Sequence, residues 1–145
     1  MDLFTAMNTS SSALSAERTR MNLISSNLAN VSTTRTPEGG AYKRKDAVFA
    51  ATPVTDTFGR TLDGVAGKYL REVNVAEIVE DKNPPRMHYD PGHPDADPQG
   101  YVAMPNVNVV EEMADMITAT RVYEANVMTA QAAKNMALKT LEISK

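Results

Sequence analysis

The densest group of side chains able to bind a metal lies between His88 and Gly100. Two histidines and three aspartates fall within ten residues, namely His88, Asp90, His93, Asp95 and Asp97. Imidazole nitrogens and carboxylate oxygens are common ligands of divalent cations, and Asp-x-Asp begins like a calcium loop. In a calcium loop that begins at Asp95, the twelfth position should be a bidentate glutamate, but that position is Asn106. A rigid, proline-set loop whose aspartates cap turns is therefore the favoured interpretation, with a metal-binding module as the alternative.

Other catalytic chemistry has no support in the sequence. The chain contains no GxSxG, no phosphate loop, no GxGxxG and no HExxH. The absence of cysteine excludes a disulfide scaffold, a cysteine nucleophile and a thiolate metal site. We therefore predict a protein that is not an enzyme and that needs no cofactor.

One basic cluster, Tyr42 to Lys45, could contact nucleic acid, an anionic head group or an acidic protein. Asp46 follows it directly, and the whole chain of 145 residues carries a net charge of -3 with a pI near 5.4. Nucleic-acid binders normally present a basic face. We expect a solvated strand face or a protein contact, and no nucleic-acid partner.

Neither a membrane span nor a cleaved signal is predicted. No stretch approaches the roughly 18 apolar residues that a transmembrane helix needs. The first residues, Met1 to Phe4, lack the basic region and apolar run of a secretory signal. Export from the cytoplasm would have to use another route.

Glycine and proline divide the chain into flanks and a middle. All seven glycines and all eight prolines lie between Pro37 and Pro105, and these residues interrupt regular elements. We predict an α+β fold in which long N- and C-terminal α-helices form an antiparallel coiled-coil-like pair, with a small β-rich module between them. The predicted segments are an N-terminal helix and following loop at 1–36, a β-rich module at 37–82, a proline-rich extended loop at 83–105 and a C-terminal helix at 106–145.

The N-terminal flank carries a heptad-like apolar seam, in which Ser10 and Glu17 occupy slots that break the stripe. Asn30 is a plausible end for the helix through a left-handed cap. The flank is rich in Ser, Thr and Asn and poor in charge, so the helix should be marginal by itself. We expect it to be loosely ordered in the isolated chain and to order against partners; packing on the C-terminal helix of the same chain is the alternative, and both can hold.

The C-terminal flank is a stronger helix. Asn108 can act as its N-cap, with Glu111 in the capping-box position. Its length of about 36 residues corresponds to roughly 54 Å. Residues proposed for subunit packing in the two seams are Leu3, Met7, Leu14, Met21, Ile24, Leu28, Met113, Met116, Tyr123, Val127 and Leu141.

The middle holds two strand candidates. Alternating apolar residues predict a strand at 69–79, and 42–49 is a second candidate strand. The residue types at 56–59 predict a turn. The prolines after Asn83 predict an extended, sheet-poor loop that reaches about Gly100.

These residues together resemble a known family, the bacterial flagellar rod and hook proteins. The Ala29-Asn30 pair and the Tyr42-Lys43-Arg44 run are similar to that family's N-terminal signature. The segments Tyr89–Asp97, Gly100–Asn108, Glu111–Met113, Arg121–Asn126 and Met136–Leu141 resemble the FlgC-type proximal rod subunits in particular. Residues matching the family signature are Asn27, Ala29, Asn30, Tyr42, Arg44, Tyr123, Glu124 and Asn126.

The resemblance implies a structural subunit of the flagellar basal-body rod. Such subunits polymerise through their terminal helices into a hollow helical shaft that crosses the periplasm, transmits torque and serves as the export conduit. The implied partners are further copies of the chain, the other proximal rod proteins, the rod-to-membrane-ring adaptor, the distal rod protein and the flagellar type III export apparatus. A different axial flagellar component is a further alternative, which the loop from His88 to Asn106 argues against.

Overall fold

Two long helices flank four short strands. The computed structural model describes residues 3–53 and 71–143, with side chains described from Ala6. The elements are α1 (Leu3–Ala29), β1 (Lys45–Pro53), β2 (Arg71–Glu80), β3 (Arg86–Tyr89), β4 (Tyr101–Met104) and α2 (Val109–Ile143). The predicted fold class is confirmed.

The two helices pack against each other antiparallel within one chain. Three contacts show the direction: Asn27 reaches Glu112, Arg20 reaches Asp115, and Met21 lies 3.8 Å from the hydroxyl of Thr120. The C-terminal end of α1 thus lies beside the N-terminal end of α2, and residues earlier in α1 lie beside residues later in α2. Packing of α1 on the C-terminal helix of its own chain, the alternative weighed above, is what the structure has.

The end of α1 is fixed by side-chain hydrogen bonds. The Asn30 amide donates to the carbonyl oxygen of Ser26 at 2.9 Å, and the Thr33 hydroxyl donates to Asn30 Oδ1 at 3.1 Å. The prediction of a left-handed cap at Asn30 is wrong, because no residue other than glycine has a positive φ in the described part of the chain. The side chain satisfies a carbonyl of the last turn directly, so the backbone has no need of the strained conformation.

The start of α2 confirms the predicted N-cap. Asn108 Oδ1 accepts a hydrogen bond from the backbone N–H of Val110 at 3.1 Å. Glu111 is exposed. Its neighbour Glu112 is the acidic residue of this first turn that makes tertiary contacts, which are described below.

Strands β1 and β2 form a two-stranded antiparallel sheet beside α1. Their register runs from Lys45 opposite Glu80 to Pro53 opposite Arg71, with an irregularity between Val48 and Phe49. The Ser12 hydroxyl of α1 accepts the Val73 N–H at 3.2 Å and so ties β2 to the helix. β1 begins three residues later than its predicted start and runs on to Pro53, and β2 covers the described part of its prediction and ends at Glu80; residues 69–70 and the predicted turn at 56–59 lie outside the described residues.

A second sheet lies where the sequence predicts a sheet-poor loop, so that prediction is wrong. Strands β3 and β4 pair antiparallel, and their partners Tyr89 and Tyr101 stack edge to face with ring centroids 5.3 Å apart. The prolines stay outside both strands, in the connection or at its flanks. None of them therefore removes a hydrogen-bond donor from the ladder.

The connection between β3 and β4 closes at Gly100. This glycine has φ +85°, and a Cβ placed on it would lie 2.9 Å from Tyr89 Cε2 and 3.3 Å from Pro91 Cβ. Both the left-handed backbone and the close ring exclude a side chain here.

We expect Gly100→Ala to lower the free energy of unfolding by about 1–3 kcal/mol, because strain adds to the clash with Tyr89. Urea titration followed by the near-ultraviolet circular dichroism of tyrosine measures it. Gly39→Ala is the matched control, since Gly39 has φ +92° but no atom within 4 Å of the added Cβ. Equal losses of unfolding free energy in the two variants would contradict a steric contribution from Tyr89.

Candidate subunit interface and its buried junction

A buried asparagine joins α1 to the segment that leads into β1. Asn27 is only 1% exposed. Its Nδ2 donates to the Lys45 carbonyl oxygen at 2.9 Å and to Glu112 Oε2 at 3.1 Å. Its Oδ1 accepts the Lys45 N–H at 2.9 Å and the Tyr42 hydroxyl at 3.0 Å. The two donors and two acceptor sites of the amide are thus all used.

A buried carboxylate joins the same segment to α2. Glu112 is 0% exposed, and its Oε1 accepts the Arg44 Nε–H at 2.6 Å. Arg44 also lies 3.2 Å from Asp46 and 3.9 Å from Asp115, which in turn lies 3.7 Å from Arg20. Burial opposes the charge of the guanidinium, but the hydrogen bonds and charges of Glu112 and Asp46 together outweigh it, so the pKa of Arg44 is raised.

Asn27, Arg44 and Glu112 together are called the junction below. A buried charge costs several kcal/mol unless it is paired and hydrogen-bonded, and Glu112 has a partner on each oxygen. Three segments that are far apart in sequence therefore meet at one fully satisfied polar site. The junction fixes the mutual position of α1, β1 and α2.

The family-signature residues divide into two groups in the structure. Asn27, Tyr42 and Arg44 come together at the junction, and Asn30 ends α1 beside it. Ala29 is exposed. The α2 residues of the signature are separate: Tyr123 is half-buried, Glu124 is exposed, and the Asn126 amide donates to the Val122 carbonyl of its own helix at 3.0 Å.

Glu112 is the junction residue that sequence reasoning missed. An acidic residue in the first turn of a helix is readily assigned to the helix dipole. The position of Glu112 around the helix was a better indication that it is buried, because it shares a face with Met116, Ala119 and Tyr123 at steps of four, three and four.

The seam residues of α1 differ in burial. Ile24 is buried, Leu14, Met21 and Leu28 are half-buried, and Met7 is exposed. The side chain of Leu3 lies outside the described residues.

On α2, three of the proposed packing residues lie at the border of the helix pair. Met116, Tyr123 and Val127 are half-buried, whereas Met113 and Leu141 are exposed. Ala119 and Ala133 are the buried apolar residues of this helix. Small side chains at these points allow the helices to approach closely.

A second apolar stripe of α2 faces away from α1. Val110 is 74% exposed, Ile117 57% and Met128 67%. Steps of 7 and 11 residues place these three on one side of the helix, about opposite Glu112 and Ala119. Exposed apolar patches of this kind are typical of protein–protein contact.

The histidine- and aspartate-rich loop uses its carboxylates in turns. Asp97 Oδ1 accepts the backbone N–H groups of Gln99 at 2.9 Å and Tyr101 at 2.8 Å, and Asp90 Oδ1 accepts that of Gly92 at 3.1 Å. Asp95 accepts the Thr34 hydroxyl at 2.8 Å and ties the loop to the chain after α1. In the part of the chain that the structure describes, no three His, Asp or Glu side chains are placed to hold a metal ion. Turn capping is the observed role of these aspartates.

The basic cluster is paired within its own chain. Lys43 and Lys45 lie 3.6 and 3.7 Å from the two carboxylate oxygens of Glu80, and Arg44 belongs to the junction. Only Lys45 of the cluster lies in a strand, so the expected solvated strand face is found only in part: the two lysines pair with Glu80, and Arg44 belongs to the buried junction. No helix among residues 3–53 and 71–143 is long and apolar enough to cross a membrane.

Two family profiles match the flanks of the chain. Residues 7–35 match one described as a flagella basal body rod protein, and residues 99–143 match one described as a flagellar basal body rod FlgEFG protein C-terminal region. The matched parts contain nearly all of α1 and the whole of α2.

Proteins of known assignment match the chain over nearly its full length. The flagellar basal-body rod protein FlgC of Borreliella burgdorferi is 44% identical over 99% of this chain and 98% of its own length. The FlgC of Bacillus subtilis is 40% identical with full coverage of both chains, and that of Salmonella typhimurium is 38% identical over 99% and 98%.

We expect Asn27→Ala to lower the free energy of unfolding by about 2–3 kcal/mol, because it leaves Glu112 Oε2 and the Lys45 backbone groups without partners. Chemical denaturation followed at 222 nm measures the change. Asn126→Ala is the control: this asparagine is also helical but only half-buried, and it makes one hydrogen bond within its helix, so the loss in this variant should stay below about 1 kcal/mol. An Asn27 variant no less stable than the Asn126 variant would contradict a central role of the junction.

Proposed function

The chain belongs to the FlgC family of flagellar basal-body rod proteins, and we propose that it polymerises through its terminal helices into the proximal rod. It is a structural subunit of the flagellar basal body, with a role in flagellum-dependent motility. The observation that best supports helix-mediated assembly is the apolar stripe of α2, which faces away from α1.

The surface of the isolated chain supports the same proposal. The chain exposes 10632 Å² at a mass of 15.8 kDa, whereas a compact monomer of that mass exposes about 7,300 Å². Few large side chains are buried, and the buried apolar residues of α2 are alanines. Such a chain has apolar surface left for contacts with neighbours.

Polymerisation into a shaft requires a contact that does not close on itself. A patch that binds a different patch of the next copy generates a helical filament. The α2 stripe and the proposed seam positions of α1 lie on different helices and supply two distinct patches. Torque would then be shared among many small apolar contacts, and a hollow filament of this kind would also serve as the export conduit.

The neighbours and location follow from the same proposal. We infer contacts with other proximal rod proteins, the rod-to-membrane-ring adaptor, the distal rod protein and the type III export apparatus. The rod would cross the periplasm, and its subunits would leave the cytoplasm through the type III export apparatus. An α1 that is loosely ordered before assembly suits passage through a narrow channel. The role proposed is structural rather than catalytic.

We expect Leu28→Asp to abolish rod assembly and motility while export persists, because a charge in the α1 seam opposes packing between subunits. Swimming assays and electron microscopy of basal bodies measure assembly, and the protein in the culture supernatant measures export. Ser25→Asp, on an exposed position one turn earlier, is the control and should swim. Motile Leu28→Asp cells would count heavily against the seam.

Ile117→Asp tests the second patch without disturbing the helix pair. Ile117 is mostly exposed, so we expect unchanged circular dichroism and melting temperature but loss of swimming and of rods. Thr118→Asp places the same charge on the next exposed residue, whose hydroxyl bonds only within its helix, and it should be tolerated. Normal swimming by the Ile117 variant would remove the main support for assembly through this face of α2.

A further inference from the structure

One carboxylate oxygen of α1, on the half-buried Glu17, is buried and has no partner in the described chain. Glu17 Oε2 is buried and accepts no hydrogen bond. Glu17 lies seven residues from Ser10 and seven from Ile24, both of which are buried, so the three share one face of α1. This glutamate thus stands in the packed stripe of the helix rather than on its solvent side.

The arrangement at Glu17 is the opposite of that at Glu112. Each oxygen of Glu112 accepts a hydrogen bond, one of them from an arginine. A buried acceptor left without a partner destabilises the folded state, more so when it is charged. The free subunit therefore carries a destabilising position inside its helix pair.

The two arginines nearest to Glu17 in sequence do not pair with it. Arg20, one turn on, pairs with Asp115 at 3.7 Å. Arg18 is the adjacent residue, and it is exposed, because neighbours in a helix do not share a face. Within residues 3–53 and 71–143, no arginine or lysine forms an ion pair with Glu17.

The same chain presents unpaired cations on its other helix. Arg121, Lys134 and Lys139 are exposed on α2, and none of them makes an ion pair with any residue in the described ranges 3–53 and 71–143. Charge complementarity therefore selects a second copy of this chain as the source.

We propose that Glu17 is a docking position for a basic side chain from α2 of a second copy. The inference rests on the proposed self-assembly and identifies one specific contact within it. Because Oε2 is buried in the free subunit, the carboxylate must rotate outward or α1 must shift against α2 when the copies meet. The unpartnered state thus weakens the free helix pair, and pairing across subunits removes that weakness only in the polymer.

The first experiment compares Glu17→Gln with Glu124→Gln, an exposed glutamate of α2, in the full chain. We expect Glu17→Gln to raise the melting temperature of the isolated subunit by on the order of 3 °C and to reduce the number of rods per cell severalfold. The control should change neither. An unchanged or lower melting temperature for Glu17→Gln would show that the carboxylate is already satisfied in the free subunit, for instance by a bound water, and would overturn the proposal.

The second experiment identifies the cation by charge exchange. Glu17→Lys should stop assembly, and one of Arg121→Glu, Lys134→Glu or Lys139→Glu in the same chain should restore swimming to it. Failure of all three exchanges overturns the contact with α2. A Glu17→Gln variant that is more stable yet swims and assembles normally also overturns docking. These failures leave the proposed rod function standing, since that function is tested separately at Leu28 and Ile117.

Discussion

The pairing of Glu112 with Arg44 and Asn27 is the interaction on which the rest of the structure depends. It is a carboxylate with no exposed surface, held by a 2.6 Å bond from a guanidinium and a 3.1 Å bond from an amide. Each partner comes from a different part of the chain. A buried pair of this kind contributes little net stability compared with an apolar core, but removing one partner is strongly destabilising. Its effect is to specify one arrangement of α1, β1 and α2.

The junction is needed to specify one arrangement of the helices because the apolar core is small. Among the described residues, the buried apolar ones are Ala16, Ile24, Val102, Val107, Ala119 and Ala133, of which three are alanines. A core of such small side chains fixes the relative position of two helices only weakly, since sliding by one turn replaces one set of small contacts with another. The hydrogen bonds of the junction have no equivalent after such a shift. Polar contacts thus set the register, and apolar surface remains available for other subunits.

The sequence predicted the elements better than the contacts between them. Long uninterrupted flanks and the glycine- and proline-rich middle were enough to predict two helices around a small β region, because these two residue types interrupt regular structure locally. The pairing of β3 with β4 was missed because prolines were counted by region, whereas their effect depends on whether they occupy a strand position. Asn27, Tyr42 and Arg44 were singled out through the family resemblance, but Glu112, the partner of Asn27 and Arg44, was not. A contact over 85 residues leaves no local pattern, and only the helical phase of α2 hinted at it.

The separation between Asn27 and Glu112 also controls when the subunit can fold. The two residues that must meet are 85 positions apart, and α2 follows all the other described elements along the chain. During synthesis from the N-terminus, α1 emerges long before α2 has been made, and loop closure over such a distance is slow. The junction therefore cannot form until the part of α2 that carries Glu112 has been made, and α1 has no partner helix until then.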